Sequence, residues 1–314
     1  MQHLNTTEVV MQKIRIGVSP LSWVNEFLPD LGVETTASVL VSEAKAAGSH
    51  GVEMSRALPS APAELTSLMA KHDMALASGW YNGFLAECSV EEALADVRAH
   101  AGLLRACGAH VMVYGECGHM IENALDRPLT DRMALADSDL GSYGARLTAF
   151  AEALRDDFGM QLAYHPHLMT VTETLDEIRT VMAHTGPDVG LLLDTGHAAA
   201  AGFDYGQLIT EFAPRICHIH LKDLRADIMA DVRANDISFN EGVRRGMFTV
   251  PGDGSVSFDA VAEFIGSGAY SGWLVIEAEQ DPIHESPADT VSRAYQFVQR
   301  AILGHPDSKQ GTRP

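Results

Sequence analysis

Four cysteines occur in 314 residues, at positions 88, 107, 117 and 217, with no CxxC pair among them. Scattered thiols of this kind exclude a disulfide framework or zinc-ribbon reading and suit a reducing cytoplasm. Long apolar runs are also missing. The stretch from Val189 to Leu193 is broken by Gly190 and falls far short of the ~18 residues a membrane helix requires. The first residues lack the basic region and apolar core of a secretion signal, so export is not expected. Basic charge is scarce, with 22 Lys and Arg against 42 Asp and Glu, a formal balance of −20. No run of five basic residues breaks that balance, which argues against nucleic acid or anionic lipid as partner. No HExxH motif, fixed-period repeat or low-complexity linker is present.

What remains is a globular composition, 46% apolar and 20% charged. Residues 1–11 and 305–314 are polar and unpatterned and are expected to be disordered tails around a single domain spanning 12–304. Within it, eight short β-rich runs, at 15–19, 50–54, 74–80, 110–116, 160–165, 189–194, 216–221 and 273–279, alternate with Ala/Leu/Glu-rich segments of helical period. The runs are continuously apolar, as strands buried on both faces must be. Eight repeats of strand and helix predict a (β/α)8 TIM barrel in preference to an open doubly wound sheet. Two connections exceed the usual ~2–6 residues: Gly115 to Leu140 and Lys222 to Val256. Each follows a strand's carboxyl end, where barrels carry their active sites, so both are candidate lids; the second has room for a helix.

Ionisable residues at the ends of apolar strands stand out. His165 closes LAYH, Asp194 closes GLLLD, His220 closes ICHIH and Glu277 lies in WLVIEAE. Burying such groups costs several kcal/mol unless they are paired or bind a cation. A closed barrel would bring all four to one mouth, and two imidazoles with two carboxylates suit Mn, Fe, Co or Zn better than Mg or Ca. Singly, each is more often a cap or a satisfied core residue; four in series favour a metal. His167, two residues past His165, is an alternative ligand or a substrate contact. His197 could touch substrate or cap a helix. Glu53 and Glu116 also end strands and are substrate-binding or acid/base candidates. Trp23, Trp80 and Tyr81 could wall a sugar-like ring or simply fill the core. Lys222 could transfer a proton or bind an oxyanion with Asp223 beside it, or it could form a salt bridge with Asp223 or its neighbours.

The combination LLLDTGH, HIHLKD, VPGDG, GWLVIEAEQDP and LAYHPH, spread from Ile14 to Leu303, resembles the xylose isomerase-like barrels that include sugar epimerases, hydroxypyruvate isomerase and endonuclease IV. Within them it is most similar to the inosose dehydratases of inositol catabolism. The resemblance implies a divalent transition metal, Mn or Co before Zn or Fe, held by His165, Asp194, His220 and Glu277. It implies a neutral polyol substrate, 2-keto-myo-inositol, losing water to give a trihydroxycyclohexanedione. Glu277 or His197 would then be the base and Lys222 or Glu116 the acid, with Trp23, Glu53, Trp80, His167 and Asp223 around the substrate. A homo-oligomer is compatible with this class. Related epimerases usually carry glutamate where this chain has His165, which separates it from their two-glutamate proton shuttle. The alternative is a metal-dependent isomerase or epimerase of a ketose or keto-inositol. A passive polyol-binding barrel fits less well, because unpaired buried charges are a costly lining for a binding pocket.

Overall fold

The computed structural model describes residues 14–305. The expected tails therefore lie outside the described residues, apart from His305. Eight parallel strands close into a barrel: β1 (Ile14–Val18), β2 (Gly51–Met54), β3 (Ala75–Gly83), β4 (Val111–Glu116), β5 (Gln161–Tyr164), β6 (Val189–Asp194), β7 (Ile216–Leu221) and β10 (Gly272–Ile276). The order around the barrel is β1-β10-β7-β6-β5-β4-β3-β2. Two-residue strands β8 (Asp223–Leu224) and β9 (Phe248–Thr249) pair antiparallel outside it. Eleven α-helices occur among the described residues.

Local chemistry sets the helix boundaries. Ser89 and Glu92 form a reciprocal capping box at the start of helix Val90–Ala106, and Thr174 and Glu177 do the same for Leu175–Ala183. Gly159 closes the longest helix, Asp137–Phe158, at φ 63°, a left-handed position that suits glycine. The outer faces of the strands pack against the helices in one continuous apolar layer. Inside the barrel a small plug of Val113, Ala163 and Leu192 fills the axis.

A third apolar cluster caps one side of the carboxyl-end mouth. Leu28, Leu31, Leu168 and Met169 pack there against Met229, Val232, Phe239, Val243 and Phe248 from the long segment after β7. That segment holds two helices, Ala226–Ala234 and Phe239–Arg244, together with β8 and β9, so it is a packed insertion and not a single helix in a loop. It is tied to the connection after β4. Thr130 Oγ1 donates to Asp236 Oδ2 at 2.8 Å, Asn240 Nδ2 donates to Asp126 Oδ1 at 2.7 Å, and Pro128 bridges to Ser238. The last barrel strand is shorter than the expected 273–279 and ends at Ile276, because its neighbour β7 ends at Leu221. Glu277 N–H still donates to the Leu221 carbonyl at 3.1 Å before the chain turns away.

Candidate metal centre

Side chains alternate across a strand, so the HIHLK run sends His218, His220 and Lys222 to the same, inward side. Asp194 stands opposite His220 in the parallel register of β6 and β7. It also caps helix Thr195–Ala200, its Oδ1 accepting the His197 N–H at 2.8 Å. Oδ2 is thereby left facing the barrel axis, buried and without a hydrogen-bond partner. His165 Nε2 lies 3.6 Å from that oxygen, and His220 Nδ1 lies 3.6 Å from it on another side. His220 Nδ1 is also 2.9 Å from Glu277 Oε2, yet lacks hydrogen-bond alignment. His165 Nδ1 sits 2.7 Å from the Pro166 carbonyl, an acceptor that holds the ring proton there and leaves the Nε2 lone pair facing Asp194.

These four donors suit a divalent cation. Bonds of ~2.0–2.2 Å place neighbouring ligand atoms ~3–3.5 Å apart, close to the separations observed. The orphaned Asp194 oxygen is the kind of buried acceptor a cation satisfies. His165, Asp194 and His220 also form one of three buried triads, among the described residues, whose ligand atoms converge; the others are Glu53, His218 and His220, and His167, His197 and Glu279.

The third triad already contains a cation. Lys222 is wholly buried, with Nζ 2.6 Å from Glu277 Oε1, 2.8 Å from Glu279 Oε1 and 2.9 Å from His197 Nε2. Burial disfavours its charge, but Glu277, Glu279 and Asp194 outweigh that and push its pKa further up. Its ion pairs run to Glu277, Glu279 and Asp194 and not to Asp223. Gly196 makes the arrangement possible: a Cβ there would come within 2.5 Å of Lys222 Cγ. The motif DTGH thus reads physically as a cap, a gap for the lysine stem, and an imidazole against its ammonium.

Burial pushes the Glu277 carboxyl up, but His220 and Lys222 hold it well below the usual range. Burial likewise opposes charge on His220, while Glu277 and Glu53 raise its pKa well above the ordinary imidazole value. His197 is lowered by burial first and Lys222 second, and His167 by burial and then His197. The His167 and His197 rings stand 3.7 Å apart between centroids.

A pocket opens above this group, lined by Glu53, Trp80, His165, His167, His220, Glu277 and Glu279, with Pro20, Leu21 and Phe27 as its apolar side. Trp80 stands edge-on over both His165 and His167. No lysine or arginine is among the lining residues, so the pocket offers an anionic ligand no such countercharge. His197 and Lys222 lie behind the lining, and Glu53 reaches His220 from β2.

Three expected site residues are not brought to the group. Trp23 packs into the main core and donates its indole N–H to Glu43 Oε2 at 2.6 Å. Glu116 shares the outward parity of Tyr114, accepting that phenol's O–H at 2.8 Å and the Gly118 N–H at 2.8 Å; burial raises it to about 7. Asp223 anchors the VPGDG turn, accepting N–H groups from Gly252, Gly254 and Val256 at 3.0, 3.0 and 2.8 Å. Tyr81, the third aromatic, bonds Asp96 at 2.7 Å on the helical side. Conversely, His218, Glu279 and Ser78 join the site without having been singled out. His218 and Glu279 each stand two residues from a chosen ligand, a period-2 signal that was available in HIH and EAE.

Comparison with known proteins agrees with the fold. A family model described as xylose isomerase-like TIM barrel matches residues 41–301. The rhizopine catabolism protein MocC of Rhizobium meliloti is 37% identical over 290 residues, covering 92% of this chain and 89% of that protein. An inosose dehydratase of Clostridium beijerinckii is 35% identical over 288 residues, 91% of this chain and 97% of its own. Among solved structures, the IOLI protein with a bound zinc atom aligns at TM-score 0.66 and 13% identity, covering 92% of this chain and 98% of that one, a likeness of fold. The chain belongs to the xylose isomerase-like TIM barrel family, alongside relatives that bear the name inosose dehydratase.

Proposed function

We propose that this protein dehydrates 2-keto-myo-inositol to a trihydroxycyclohexanedione. The observation that carries the reading is the buried convergence of His165, Asp194 and His220, with Glu277 set against His220, beneath a pocket that no lysine or arginine lines. The identity with inosose dehydratases over nearly their whole length supports it. His165 Nε2, Asp194 Oδ2, His220 Nδ1 and Glu277 Oε2 would hold the divalent ion, for which Mn or Co is our choice. Bound there, the ion would act as a Lewis acid toward the substrate ketone and stabilise the enediolate.

The remaining steps fall to the chain. Glu277 spends one oxygen on the metal donor set and the other on Lys222, so it is poorly placed as a base. Glu279 lines the pocket, its Oε1 held by Lys222 while its Oε2 has no partner. We assign the Glu279 carboxylate to remove the proton next to the ketone and return it to the departing β-hydroxyl, which leaves as water. Lys222 and His197, behind the lining, fix the carboxylate and balance its charge. Trp80 would wall the substrate on the side of His165 and His167.

Turnover of 2-keto-myo-inositol in heavy water tests this reading. The expected product is the dione with little deuterium in recovered substrate. Accumulation of epimerised, deuterated keto-inositol would replace dehydration by the isomerase or epimerase reading.

A further inference from the structure

His220 presents its two nitrogens to different neighbours. Nδ1 faces Asp194 and Glu277, whereas Nε2 lies 3.2 Å from Oε1 of Glu53. Glu53 belongs to β2, which is separated from β7 by β1 and β10, so its side chain reaches across the barrel interior. The same Oε1 accepts the Ser78 hydroxyl and lies 2.9 Å from His218 Nε2. His218 is fully buried and, among the described residues, its Nδ1 has no partner, so Glu53 is the one hydrogen-bonded contact of the ring there.

Glu53, His218 and His220 could be taken for a second cation site, since their ligand atoms converge. Hydrogen bonding argues otherwise. Three donors meet at one carboxylate oxygen, each with hydrogen-bond geometry, which saturates that oxygen and turns both Nε2 atoms toward it as N–H groups. An imidazole whose Nε2 is a donor has only Nδ1 left to bind a metal.

We propose that Glu53 is a positioning residue: anchored by Ser78 and His218, its Oε1 keeps the proton of His220 on Nε2 and so aims the Nδ1 lone pair at the donor set formed with His165, Asp194 and Glu277. This rests on the reading of His220 as a ligand, and it assigns Glu53 a task different from direct substrate binding. Removal of an orienting partner of a metal-bound histidine typically weakens metal binding ~10–100-fold.

The test uses the full chain with ¹⁵N-labelled histidine, the His220 signals being assigned through His220→Ala. Spectra of the metal-free protein should show His220 Nε2 protonated, and after loading with ¹¹³Cd the cadmium coupling should appear on Nδ1. Glu53→Ala should lose this fixed arrangement and bind cadmium ~10–100-fold more weakly in a chelator competition, while Glu53→Gln, which retains an acceptor oxygen, recovers most of the affinity. A bare Nε2 in the metal-free wild type, cadmium coupling on Nε2, or wild-type affinity in Glu53→Ala would each overturn the proposal. If cadmium fails to bind wild type while Nε2 remains protonated, the metal reading of the pocket fails and the Glu53 contact stands.

Discussion

Lys222→Met keeps an unbranched stem beside Gly196 but deletes the ammonium that serves three carboxylates. Nζ lies 2.6 Å from Glu277, 2.8 Å from Glu279 and 3.7 Å from Asp194, in a side chain with no solvent exposure. Removing one partner of a buried ion pair costs ~3–5 kcal/mol, because the other charge stays behind unpaired. At ~2–4 °C per kcal/mol, the figure for a large single domain, the melting temperature of the metal-free protein should fall by roughly 6–20 °C. The pH dependence follows from proton counting. In the wild type Glu277 is held below its ordinary value, so it binds no proton in the folded or unfolded state between about pH 6 and 8. Without the lysine, the buried carboxylates rise above their unfolded values, and the folded state binds more protons than the unfolded state. Stability of the variant must then decline as pH increases, and its deficit against wild type must widen from about pH 6 to about pH 8. Melting curves of both metal-free proteins, followed by circular dichroism at one scan rate at each pH, supply the comparison. Equal melting temperatures at pH 8, or a deficit that narrows with pH, would refute the claim that Lys222 compensates this cluster.

Exhaustive chelation should abolish turnover, with Mn or Co restoring it; full activity in demonstrably metal-free protein would end the metal reading. Because Glu277 and Glu53 raise His220 above its ordinary pKa, metal binding must displace a proton there, so affinity should increase with pH and calorimetry in buffers of different ionisation enthalpy should show proton release. Asp223→Ala frees three turn N–H groups and should cost about 2–4 kcal/mol of stability while leaving metal affinity within about twofold of wild type, as read by denaturation and chelator competition.

The barrel was legible because parallel strands leave uninterrupted apolar runs, and any ionisable residue at their ends is conspicuous. Asp194 and His220 showed themselves in this way. Direction was harder to read. Glu116 ends β4 just as Asp194 ends β6, yet its parity with Tyr114 turns it outward, and only the inward position of Val113 reveals that. Trp23 follows β1 in a tight turn, Pro20–Ser22, that carries the indole back to Glu43, a route no periodicity encodes. His218 shares the strand face of His220, as HIH already shows, but it lies deeper and its task appears only once Glu53 is seen reaching it from β2. Glu279 lies beyond the last ladder contact, so its place beside Lys222 depends on how the chain leaves Ile276.

The clasp between the connections after β4 and β7 bears on how such a barrel can diversify. Its bonds join residues more than a hundred positions apart, Thr130 with Asp236 and Asp126 with Asn240. Loops of a barrel are usually exchangeable one at a time, each hung on its own strand. Here they form one inheritable unit: a chimera that receives the 222–256 segment of a relative must receive its 124–131 turn as well, or the rim loses both seams at once.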